Sequence, residues 1–173
     1  LNDGAMWATG REDSGPIEIA GEGVFLPPTS FYDVMSEFNV KYRFSDGLEW
    51  NYRTDSDQAY FRIDGDEGRV QAGFQDFKSD PESLRKVDLT KGQYQFPLKS
   101  EKQDFIDCVR SRGETLEPAQ VGHKVNTLNK LAQICTYLGR PLRWDADNEI
   151  FLDDADANLL IGKVMRTPRE PRG

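Results

Sequence analysis

The chain has 173 residues, 30% charged and 37% hydrophobic, an ordinary globular balance with length enough for one domain and a buried core. Its 22 basic and 30 acidic side chains leave a formal net charge of -8, which disfavours nucleic acid as a partner because no basic stripe offsets it. No apolar run approaches the roughly 18 residues of a membrane helix, so no membrane partner is expected.

The opening "LNDGAMWATG" lacks the basic and apolar regions of a signal peptide. Leu1 and Asn2 followed by Gly4 read as the end of a helix, with Gly4 as its stop signal. With no initiating methionine, the expectation is a piece of a longer protein. Residues 10–15 form a polar loop carrying Arg11, Glu12 and Asp13. Arg11 is a candidate for an anionic or hydroxyl-bearing substrate; its ordinary reading is a solvated loop residue. "PIEIAG" alternates like a short strand, and the prolines at 27 and 28 make Gly23 to Ser30 an expected irregular stretch.

The clearest signal is "FNVKYRFSDGLEWNYRT". Phe38, Val40, Tyr42 and Phe44 alternate with polar residues, as do Leu48, Trp50 and Tyr52. A two-residue turn would mix the faces. A three-residue loop, Ser45-Asp46-Gly47 with Gly47 left-handed, pairs Phe44 with Leu48, Tyr42 with Trp50 and Val40 with Tyr52. Arg43 then faces Glu49 on the opposite side. A second hairpin is expected around "DGDEG", with Phe61 and Ile63 before it and Val70, Ala72 and Phe74 after it. From Gln75 to Pro97 the pattern is less regular, with Asp80-Pro81 as a turn and "QYQFPL" as a last strand.

The mode then becomes helical. Ser100 to Gln103 spell a capping box before a helix whose apolar side is Phe105, Ile106, Cys108 and Val109, stopped by Gly113. A longer helix follows "LEPAQ", with Val121, Val125, Leu128, Leu131, Ala132, Cys135 and Leu138 at helical spacing and Gly139 and Pro141 at its end. His123 sits near its start. A lone histidine there is ordinarily a cap or a half-buried contact; the functional reading is a substrate-facing role. Leu142 and Trp144 make a short strand, and Asp153 or Asp154 caps a short helix with Ala155, Leu159 and Leu160 as its apolar side.

Six acids crowd this end: Asp145, Asp147, Glu149, Asp153, Asp154 and Asp156. A calcium loop counted from Asp145 would need glycine at its sixth position, which is Ile150, and an apolar run interrupts the acids. A structural role is preferred, and no metal is expected. Cys108 and Cys135 read as small buried hydrophobes rather than a disulfide, and with His123 as the only histidine they lack zinc-ligand spacing.

Strands followed by helices indicate an α+β fold: a mostly antiparallel open β-sheet with helices packed on one face. No glycine-rich dinucleotide or phosphate loop and no nucleophile elbow is present. A serine triad with His123 as base has no serine singled out.

The blocks "EDSGPIEIAGEG", "FNVKYRFSDGLEW", "DFIDCVRSRGETLEPAQVGHKV" and "YLGRPLRWDADNEIFLDDADANLLI", closing on "MRTP", together resemble the C-terminal domain of a Gfo/Idh/MocA-type oxidoreductase. The likeness covers nearly the whole chain. It implies that residues 1–173 are a single substrate-side and oligomerisation domain, with an NAD(P)-binding Rossmann domain preceding it in the parent and absent from this chain. The family's Glu-Lys-Pro and Gly-x-His-His/x-x-Asp segments do not occur here. No catalytic or cofactor-binding residue is therefore assigned in this chain, the catalytic set being expected upstream of Leu1. The fragment itself would bind no cofactor, while the parent would use NAD or NADP to oxidise or reduce a sugar or cyclitol. The resemblance also implies a homodimer through the sheet and a small carbohydrate substrate shared with the missing domain. Cytoplasm and periplasm both stay open. The alternative is a non-catalytic dimerisation or binding module built on the same sheet.

Overall fold

The computed structural model describes residues 1–32, 34–54, 59–73, 76–86 and 100–162. The chain divides into two compact units, one of Leu1–Asp13 with Asp55–Asn126 and one of Ser14–Thr54 with Thr127–Gly173. Each is described on its own terms.

The second unit holds a five-stranded sheet. Its strands are β1 (Glu18–Phe25), β2 (Met35–Arg43), β3 (Glu49–Arg53), β7 (Leu142–Asp145) and β8 (Ile150–Phe151), in the order β3-β2-β1-β7-β8, every neighbour antiparallel. The β2–β3 hairpin adopts the expected register: Val40 opposite Tyr52, Tyr42 opposite Trp50 and Arg43 opposite Glu49. Its loop closes with Phe44 N–H donating to the Leu48 carbonyl at 2.9 Å, and Gly47 supplies the left-handed residue at φ 89°.

β1 runs through Gly23, Val24 and Phe25, where an irregular segment was expected. An ordered β2 partner overrides the weak strand propensity of glycine, and Gly23 serves packing: a Cβ there would meet Met35 Sδ at 2.3 Å and Thr136 Cβ at 3.2 Å.

The helix α3 (Ala119–Leu138) begins in the first unit, and its residues from Thr127 onward belong to the second. This later part covers the aromatic face of the five-stranded sheet. Leu128, Leu131, Ala132 and Cys135 lie at i, i+3, i+4 and i+7 and are all buried. Facing them are Ile19, Val40, Tyr42 and Phe44, none more than 2% exposed. Full burial stabilises each such side chain by about 1.5–3 kcal/mol. The Cys135 thiol lies 3.7 Å from the Ile19 carbonyl, and burial pushes that thiol up to about 11. Trp144 stacks edge-on against Phe151, with centroids 4.9 Å apart, and closes the core at the β7–β8 end.

The acidic C-terminal stretch is used locally. The Asp145 carboxylate accepts the backbone N–H of Asp147 and Asn148, both at 3.0 Å. Asp154 caps α4 (Ala155–Leu159) by accepting the Ala157 N–H at 3.0 Å, and it holds Arg140 at 2.6 and 2.8 Å. The apolar side expected for α4 is not the buried one. Ala157 is fully buried, whereas Leu159 is 78% exposed. This five-residue helix has one buried position, and Ala157 occupies it.

The first unit holds α1 (Asn2–Ala8), a three-stranded antiparallel sheet β4 (Tyr60–Gly65), β5 (Gly68–Gly73) and β6 (Phe77–Asp80), a 3-10 helix (Glu82–Lys86) and α2 (Glu101–Ser111). The second hairpin forms with Phe61 opposite Ala72 and Ile63 opposite Val70. It thus belongs to a different sheet from the first hairpin. Phe74 and "QYQFPL" (residues 93–98) lie outside the described residues. β6 falls in the stretch expected to be less regular, and a cis Asp80-Pro81 peptide follows its end.

Gly4 does not stop a helix. It lies inside α1, where a Cβ would come within 3.1 Å of the Phe61 ring, so the residue lets the helix approach β4. The stop is Gly10, at φ 64°. Its N–H donates to the Trp7 carbonyl at 3.1 Å, and the Arg11 N–H donates to the Met6 carbonyl at 2.8 Å, a Schellman closure.

α2 departs most from expectation. Ser100 is its N-cap by backbone geometry, but its hydroxyl makes no capping bond, and Gln103 donates to Asp107 at 2.8 Å instead. Three of the four residues expected on the apolar side face outward, Phe105 at 62%, Ile106 at 44% and Val109 at 49% exposed, while Cys108 is half-buried. The buried residue is Asp104, whose carboxylate accepts the Leu116 N–H at 2.8 Å. A carboxylate that satisfies a backbone donor in the chain leaving the helix turns α2 about its axis. The left-handed residue after α2 is Arg112, not Gly113.

Candidate functional site

The outer face of the five-stranded sheet carries the charged half of each alternating strand. The register aligns Glu18 with Arg43, Ala20 with Lys41, Glu22 with Asn39 and Val24 with Glu37. β3 adds Glu49, Asn51 and Arg53, and β7 adds Arg143 beside Glu18. Five carboxylates (Glu18, Glu22, Glu37, Glu49 and Asp145) therefore share one face with four cations (Lys41, Arg43, Arg53 and Arg143). Lys41 pairs with Glu49 at 3.0 Å and Arg43 with Glu18 at 2.5 Å. These pairs are about half exposed, so each stabilises the sheet by at most about 1 kcal/mol. Acids and bases are nearly balanced on this face, in a chain of net charge -8.

The two substrate-side candidates, Arg11 and His123, both belong to the first unit. Arg11 is half-buried, and its backbone is fixed by the α1 closure. His123 is exposed, in the second turn of α3. At the start of the helix the Pro118 carbonyl accepts the Val121 and Gly122 N–H groups at 3.0 and 3.3 Å.

Spacing gave no sign of a group of carboxylates in the same unit. Glu117, just before α3, is pushed above the usual carboxylate range. Partial burial of its carboxyl is the main cause, although the residue as a whole is exposed, and the negative charges of Asp3 and Glu12 add to it. Asp3 opens α1 and Glu12 follows Arg11, so the fold gathers groups from both ends of the unit's sequence. A guanidinium donates hydrogen bonds and carboxylates accept them, a combination suited to hydroxyl-bearing ligands. Among the described residues, no group of three or more His, Cys, Asp or Glu is placed to hold a metal ion. Cys108 and Cys135 are both free thiols. No helix among the described residues is long and apolar enough to cross a membrane.

A protein-family model described as the oxidoreductase family, C-terminal alpha/beta domain, of the Gfo/Idh/MocA group, matches residues 3–170. The chain belongs to this family. Two solved structures share the fold of this Gfo/Idh/MocA C-terminal domain. One is the aldose-aldose oxidoreductase of Caulobacter crescentus complexed with glycerol, with 14% identity and a TM-score of 0.58 over 82% of this chain and 44% of that one. The other is the WlbA dehydrogenase of Bordetella pertussis in complex with NADH and UDP-GlcNAcA, with 16% identity and a TM-score of 0.54 over 84% and 46%. This chain spans less than half the length of either protein. A comparison with curated proteins finds no match.

The described residues do not fit a dinucleotide. A pyrophosphate site of that kind needs a glycine-rich turn leading from a parallel strand into a helix N-terminus. Every strand pair described here is antiparallel, and β1 and β2 lead on to another strand. No step is therefore routed through a nicotinamide cofactor on these residues.

Proposed function

We propose that this chain is the substrate-side and self-association domain of an NAD(P)-dependent oxidoreductase acting on a sugar or cyclitol. The single observation that carries the reading is the match to the oxidoreductase C-terminal family over residues 3–170. Two proteins of the same fold, one an aldose-aldose oxidoreductase and one bound to NADH and a nucleotide sugar, support the substrate class. Arg11, with Glu12, Asp3 and Glu117, supplies hydrogen-bonding groups for substrate hydroxyls, and His123 lies in the same unit. The nicotinamide would accept or deliver the hydride from a separate domain. The outer sheet face, with its interleaved acids and bases, joins two copies.

The test uses the protein as encoded, including whatever precedes Leu1. Rates of NAD+ and NADP+ reduction are measured over a panel of aldoses, uronates and cyclitols. With the best substrate, Arg11→Ala is expected to raise KM by about tenfold, or 1.4 kcal/mol, while kcat moves little, the signature of lost ground-state binding. Turnover with an unchanged KM would remove Arg11 from the pocket. No turnover and no NAD(P)H binding by the encoded protein would favour the non-catalytic module.

A further inference from the structure

We draw no further inference here: the strongest candidate, the exposed aromatic and aliphatic patch of Val24, Phe25, Phe31, Tyr32, Val34 and Tyr137 around the β1–β2 connection of the five-stranded sheet, carries nothing because nothing in the structure shows what covers it.

Discussion

The Tyr42 hydroxyl donates to the Leu128 carbonyl at 2.7 Å inside the core, tying the first strand of the hairpin, β2, to the helix that covers it. Burial raises the Tyr42 hydroxyl well above its ordinary value, and the neighbouring Tyr52 and Cys135 add to the effect. The neutral form is the one the fold accepts. Tyr42→Phe should cost about 0.5–1.5 kcal/mol, the net contribution of one such bond. The raised value also fixes a sign. Tyr42 keeps its proton when folded, whereas the unfolded chain releases it near pH 10, so part of the wild-type stability is lost as pH rises above about 10. Urea denaturation at pH 8 and pH 10.5 checks both points. Equal losses with pH in wild type and Tyr42→Phe would show that Tyr42 does not titrate in this way.

Leu131→Ala and Phe105→Ala should separate sharply. Leu131 is 1% exposed on the buried side of α3, and its truncation should cost about 2–5 kcal/mol, from lost burial and the cavity left behind. Phe105 is 62% exposed on α2, and its truncation should stay within about 0.5 kcal/mol. Urea midpoints of both variants decide it, and a large loss at Phe105 would return that side chain to a core.

Asp154 joins two functions, cap and ion pair. The Ala157 N–H, and then Arg140, hold its carboxyl below the usual carboxylate range. A depressed value stabilises the fold above the unfolded value near 4 and is lost as pH falls through the folded one. Asp154→Asn keeps a capping oxygen but loses the charge for Arg140, and Asp154→Ala loses both. The melting temperature should fall in the order wild type, Asn, Ala at pH 7, with the gap between wild type and Asn closing below about pH 4. A gap unchanged at pH 3 would contradict the charge-based account.

What the sequence revealed follows from how locally each feature is determined. The Tyr42–Trp50 register was legible because strand alternation and a Ser-Asp-Gly loop agree on it. The Asp154 cap was legible to within one residue for the same reason. α2 misled because its orientation is set by a buried carboxylate bonding Leu116, and hydrophobic spacing carries no record of that bond. The outward end of β1 was hidden because a strand partner, not its own glycines, makes it extended. Which sheet face α3 would take was open from sequence, and the buried Val40, Tyr42 and Phe44 place it on the aromatic side. Arg11 and His123 could be named singly. The grouping of Asp3, Glu12 and Glu117 in the same unit could not, since only folding brings these acids near one another.

With the aromatic side taken by α3, the proposed self-association would use the charged face of Lys41, Arg43, Glu49, Asn51 and Arg53. Two copies of a chain at -8 repel over most of their surface. A face whose cations nearly balance its carboxylates is where they can meet, with acids opposite bases across a two-fold axis and aliphatic stems packed together. A stable interface of this kind should bury more than about 1,000 Å². The most direct measurement is sedimentation velocity at micromolar concentration on wild type, Arg43→Glu and Trp50→Asp. Wild type should run as a dimer. Arg43→Glu, which sets a second acid beside Glu18, should run as a folded monomer, and Trp50→Asp, whose ring packs 5.4 Å from Phe44, should unfold. A wild-type monomer, or an Arg43→Glu variant that stays dimeric, would contradict the account.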